Sequence, residues 1–221
     1  MNQDYLQPNE FFDFNKRRVQ QKALQIVKGL HSTSEKLSAL FYWVRDNIKY
    51  DMMAYIPEIK ANFIASAVLR KKHGFCLSKA VLLSTFARAI GLPARIHAVD
   101  IINHKISSRI VDLMGTNIFH YHAYSEVILN DKWIKLAPVF DKQTAIKGGF
   151  LPMVEFDGEN HALFSPIDVD GNPFVEYVKD RGIHETVPLE NIKRLFGKKY
   201  KNILDNALLQ KIAKKGILTG K

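Results

Sequence analysis

Residues 74 to 103 restrict the fold more than any other part of the chain. After Gly74 and Phe75, the residues Cys76, Ala80, Leu83, Ala87 and Ile90 recur at spacings of 4, 3, 4 and 3, which is one stripe of an amphipathic α-helix. Gly91 and Pro93 stop the helix, because glycine takes the left-handed turn at a helix end and proline cannot continue it. "ARIHAVDII" follows and reads as a strand rich in β-branched residues. A helix that feeds straight into a strand must pack back onto a sheet. Cys76 is the only cysteine among 221 residues, so its thiol has no internal disulfide partner and no cysteine-rich zinc site can form.

The flanks of this unit are helix, then hairpin, then helix. Residues 11 to 29 carry apolar side chains at mostly helical spacing, and "HSTSEKLSALFYWVRDNIKY" predicts a second helix capped within Ser32 to Ser34. Asn62 is the expected cap of a short helix in "FIASAVLRKK". "HYHAYSEVILNDKWIKLAPVFD" places two apolar runs around Asn130 and Asp131, a tight hairpin turn. A second hairpin is expected around Asp170 and Gly171, and helix again from Val187 onward. This order predicts an α+β fold in one domain, 1–221, with extra helices at both termini.

Net charge is +10, and residues 191 to 221 supply +8 of it through nine Lys and Arg against one Asp. A charge run of this kind is a solvated helix face, or a surface for an acidic partner. The run lacks a groove-reading motif and stacking aromatics, so no obligatory nucleic-acid partner is expected. No apolar stretch approaches the roughly 18 residues of a membrane span, and the first residues lack a secretory pattern. A cytoplasmic location is the expectation.

The first turn of a helix offers unpaired N–H groups and the positive end of the dipole to Cys76, which predicts a thiol pKa below its free value of about 8.5. The same position also suits a plain buried cysteine. A nucleophilic thiol needs an imidazole, and His120 and His122 open the hairpin. With Asn130 and Asp131 as a two-residue loop, His122 faces Val139, and its same-face diagonal neighbours are Ala137 and Asp141. Asp141 is therefore the expected orienter of the His122 ring. In that register Glu126 lies opposite Lys135, a surface pair.

"HGFCLSKAVLLSTFARAIGLPARIH", "HAYSEVILNDKWIKLAP" and "VRDNIKYD", taken together over residues 35 to 145, resemble the transglutaminase-like superfamily of cysteine enzymes. Residues 150 to 192 are similar to a C-terminal extension in a bacterial subgroup, and a basic helical tail, 193–221, follows. The resemblance implies a papain-like core in which the nucleophile helix packs on an antiparallel sheet, with Cys76 as nucleophile and His122 as base. It implies a peptide, isopeptide or glutamine amide in a protein or peptide substrate, hydrolysed through a thioester without cofactor or metal. Resolution of the thioester by an amine would make a transglutaminase instead. The chain departs from the pattern at one place: where the family has Asp in W-x-x-L-D-P-T, this sequence has Ala137. Asp141 substitutes for it, another group orients the histidine, or the chain is a catalytically silent peptide-binding module.

Overall fold

The computed structural model describes residues 4–56 and 58–200. In chain order these form α1 (Arg17–Ile26), α2 (Thr33–Asn47), β1 (Lys49–Tyr50), α3 (Ala65–Lys71), β2 (His73–Gly74), α4 (Cys76–Ala89) and β3 (Ala94–Asn103). They continue with α5 (Ser108–Met114), β4 (Ile118–Leu129), β5 (Lys132–Leu136), α6 (Lys142–Gly148), β6 (Val175–His184) and α7 (Leu189–Lys199). The architecture is α+β: an antiparallel sheet in the order β5-β4-β3-β6, with α4 packed against β4 and β3 and α1 to α3 behind it. No helix among the described residues is long and apolar enough to cross a membrane.

Side-chain oxygens cap the starts of α2 and α3. Ser32 caps α2 in a reciprocal box: its Oγ accepts from the Glu35 N–H at 3.1 Å, while Glu35 Oε2 accepts from the Ser32 N–H at 2.9 Å. The cap expected from Asn62 is supplied instead by Asp13, whose Oδ1 accepts from the Ser66 N–H at 2.9 Å at the start of α3. Asn62 lies in a 3-10 turn and accepts from Lys71 Nζ at 2.9 Å. The helices α5 and α6 occupy stretches that lack a helical period in the sequence.

The stripe expected for α4 understates its burial. Every residue from Leu77 to Arg88 is buried, so α4 is a central helix enclosed on all sides, and its polar side chains must find partners inside. Lys79 Nζ donates to the carbonyls of Arg45 at 2.9 Å and Ile48 at 2.7 Å, tying α4 to the end of α2. Burial pushes its pKa down to about 7, and the neutral amine still has hydrogens for both carbonyls. Ser78 Oγ donates to the Asn62 carbonyl at 2.7 Å. A Cβ on Gly74 would stand 2.7 Å from the Ser78 Cβ, so glycine lets β2 cross the head of α4.

Asn130 and Asp131 have φ of 49° and 62°, a type I′ turn, and pairing runs in the expected register from Leu129↔Lys132 to Ser125↔Leu136. There it stops. Pro138 has no N–H for a ladder, and the Ala137 N–H donates to the Ala162 carbonyl at 2.8 Å. The second expected hairpin forms only as a short turn: Ile167 bridges Pro173, the Asp168 N–H donates to the Asn172 carbonyl at 2.8 Å and the Phe174 N–H to the Pro166 carbonyl at 2.8 Å, while β6 pairs with β3. Of the expected C-terminal helix, α7 is present and 201–221 lie outside the described residues.

Candidate active site

Cys76 is the first residue of α4, where backbone N–H groups lack intrahelical partners. Backbone N–H groups of Ala123 on β4, of Leu77 and of Cys76 itself favour its thiolate, and Cys76 lines the same two cavities as His122. Part of the Cys76 surface stays open, but protein crowds the thiol on every side. Desolvation pushes its pKa up to about 11, against the lowering by the three N–H groups. The low thiol pKa expected from the helix terminus is thus corrected: burial outweighs the dipole in this closed arrangement.

His122 pairs with Val99 across β3 and β4 and is 3% exposed. Its ring packs 5.6 Å from Phe164 and 6.4 Å from Tyr177, centroid to centroid. Desolvation alone pushes it down to about 3. Its Nε2 is buried with no hydrogen-bond partner.

Asp141 does not orient this ring. It caps α6, with Oδ1 accepting from the Thr144 N–H at 3.0 Å and Oδ2 accepting from the Thr144 hydroxyl at 2.7 Å and the Tyr50 N–H at 2.7 Å. Burial raises its pKa, but the Tyr50 and Thr144 donors bring it below the ordinary carboxylate range. The expectation fails because the β4–β5 ladder ends at Leu136, five residues before Asp141. What Asp141 fixes is the wall: it holds the backbone of Tyr50, whose ring lines the space beside Cys76.

The acid that meets a histidine near Cys76 is Asp100. Its Oδ2 is 2.8 Å from His120 Nδ1 and accepts from Arg181 Nη2 at 2.6 Å, while Oδ1 accepts from the Tyr121 N–H at 3.1 Å and from Arg181 Nε. Burial opposes ionisation, yet His120 and Arg181 hold this carboxyl far below the usual range. The arrangement depends on a bulge: Val99 faces His122 but Ile101 faces Phe119, and Tyr121 sits at φ 53°. The sequence signal for Asp100 was a charge inside an apolar strand, which must be paired if buried. Glu126 is likewise not a surface pair for Lys135. It is 3% exposed and binds Arg95 Nε at 2.7 Å and His97 Nδ1 at 2.8 Å.

Two cavities meet at Cys76 and His122. The smaller, about 40 Å³, is roofed by Tyr55, Phe196 and Tyr200 and shared with His120. Tyr200 Oη accepts from the His120 N–H at 2.7 Å and donates to the Ile118 carbonyl at 2.9 Å, so the chain beyond α7 is pinned to β4. The larger, about 250 Å³, runs toward Ile106, Phe150 and Phe164. No group of three His, Cys, Asp or Glu side chains among the described residues could hold a metal ion.

The family model of the transglutaminase-like superfamily matches residues 20–138, more than half of the chain. The chain belongs to the transglutaminase-like superfamily. As a transglutaminase-like protein it is similar to three solved structures. One is a proposed cysteine protease from Cytophaga hutchinsonii, 16% identical, covering 81% of this chain and 53% of that one with a TM-score of 0.46. Another is a proposed protease from Parabacteroides distasonis, 16% identical, covering 56% and 25% with a TM-score of 0.39. The third is a TGase, 15% identical, covering 66% and 35% with a TM-score of 0.37. This transglutaminase-like chain spans about half the length of the Cytophaga structure. No curated protein matches it.

Proposed function

We propose that the protein is a thiol acyl-transfer enzyme that hydrolyses a peptide or isopeptide bond, with Cys76 as nucleophile and His122 as base. The observation that carries this reading is that Cys76, at the head of α4, and His122, on β4, line the same two cavities. In the reaction the thiol proton passes to His122 as Sγ bonds to the carbonyl carbon. The Cys76 N–H at the helix start is the donor offered to the developing oxyanion. The C–N bond breaks, the amine leaves with the proton from His122, and a thioester remains. Water attacks that thioester, the C–S bond breaks, and the thiol takes back a proton.

With a thiol near 11 and an imidazole near 3, the closed site holds both groups neutral, and neither is tuned to act near pH 7. Activity on this reading requires Phe196 and Tyr200 to leave the smaller cavity. Rehydration then returns both groups toward their ordinary values of about 8.5 and 6.5. Three facts favour a second reading, a silent peptide-binding module: Ala137 in place of the family acid, the unpartnered His122 Nε2, and the commitment of Asp141 to α6.

Alkylation of Cys76 by iodoacetamide against pH, in the wild type and in His122→Ala, decides between them, with folding checked in both. The enzyme reading expects substrate-length peptides to raise alkylation below about pH 8.5, and His122→Ala to abolish that rise. A thiol that reacts only in the alkaline range, with or without His122, gives the binding module. Appearance of a free carboxylate, as against incorporation of an added amine, separates hydrolysis from transglutamination.

A further inference from the structure

The larger cavity has a wall that the chemistry at Cys76 does not need. Beyond Cys76 and His122 it is built from Ile101 and Asn103 at the end of β3, Ile106 before α5 and Ile110 within it, Phe119 on β4, and Phe150 and Phe164 from the loops that follow α6. These come from five separate parts of the chain, so the cavity is a product of the tertiary fold. No charged side chain among the described residues lines it. At about 250 Å³ the cavity has room for one large side chain.

A second, independent feature points to a ligand. His122 is 3% exposed, and its Nε2 is the one buried polar atom without a partner along this wall among the described residues. An orphaned polar atom in a dry pocket costs stability unless something bound there completes it. An apolar wall ending in one unmatched hydrogen-bonding position fits an apolar side chain with an amide attached.

We propose that this cavity is the specificity pocket of the site, which takes one uncharged side chain of leucine to phenylalanine size next to the carbonyl that Cys76 attacks. The substrate class is therefore peptides or isopeptides with an apolar residue at the scissile acyl group, and acidic or lysyl residues are excluded because their charge would be buried unpaired. This rests on the acyl-transfer reading above for its chemistry, but not for the pocket itself.

Capped dipeptidyl acyloxymethyl ketones with leucine, phenylalanine, aspartate or lysine next to the reactive carbon test it. The thiolate forms a C–S bond and expels the carboxylate, and intact mass reads the adduct at the chain's single cysteine. Leucine and phenylalanine probes should label at least about 100-fold faster than aspartate and lysine probes. In Ile106→Asp that ratio should collapse and in Ile106→Ala shift toward phenylalanine. Ratios are read within each variant, so any general change in thiol reactivity cancels. A parallel arm uses Cys76→Ala and follows the His122 imidazole signals by NMR as N-acetyl-leucine methylamide or its aspartate analogue is added. Shifts with leucine alone, without labelling by any probe, would leave the pocket standing and sink acyl transfer. Labelling by all four probes within about threefold, or a preference that survives Ile106→Asp, would overturn the pocket and leave acyl transfer intact.

Discussion

His120 and His122 stand two residues apart on β4 and share the smaller cavity with Cys76, yet they sit in different surroundings. The His120 Nδ1 lies 2.8 Å from a carboxylate that also binds Arg181, and its backbone is held by Tyr200. His122 has aromatic rings around it and an empty hydrogen-bonding position. A strand without a bulge would turn both rings to one face. The extra residue at 120 and 121 separates them, so one histidine joins a charged cluster and the other the apolar pocket beside Cys76. An acid partner is thus a property of the local backbone, and proximity to a cysteine does not bring one.

The sharpest way to break this comparison is to remove each ring in turn. His122→Ala should slow peptide turnover by about 10³, while His120→Ala should slow it by less than about tenfold, with a loss of stability. The reverse ranking in a turnover assay would hand the base role to His120 and Asp100. Next in size is Asp100→Asn, which leaves Arg181 without its buried carboxylate and should cost about 3 kcal/mol in a denaturant melt. A cost below about 0.5 kcal/mol would show the cluster to be a solvated surface pair.

Acid sharpens the other side. His122 titrates near 3 when folded and near 6.5 when unfolded, so between those values the unfolded chain binds the extra proton. Stability is full above about pH 6.5 and falls as pH drops toward 3, by up to about 1.4 kcal/mol per pH unit. His122→Leu should remove that part of the slope, read as the difference between two stability-against-pH curves. Asp141→Ala should cost about 1 kcal/mol through the lost cap of α6 and change turnover less than tenfold. A loss near 10⁴, the scale of removing a triad acid, would restore Asp141 to the site. The smallest effect is expected at Tyr200→Phe, about 1 kcal/mol of stability and a few-fold faster alkylation of Cys76 as the roof loosens.

These contrasts also explain what could be read before folding. Turn chemistry is local, so Asn130 and Asp131 fixed the β4–β5 register correctly out to Ser125 and Leu136. Ser32 and Glu35 likewise announced the cap of α2. Asp141 was misplaced because nothing in "LAPVFD" says whether a ladder outlasts a proline; the Ala162 carbonyl, which takes the Ala137 N–H, decides it. The bulge has no glycine to mark it. The thiol was judged from its own helix, whereas its pKa is set by enclosure, and Phe196 and Tyr200 arrive from the far end of the described chain.

Enclosure of α4 has one more consequence. A helix buried from Leu77 to Arg88 and latched to α2 through Lys79 has no room to slide or tilt, so the sulfur is a fixed point around which the walls must move. In hydrogen-exchange terms, the amides of α4 should open only with the whole molecule, while those of α7 should exchange through local excursions. The gap between those two rates measures how often the thiol meets solvent, and it can be read without any substrate.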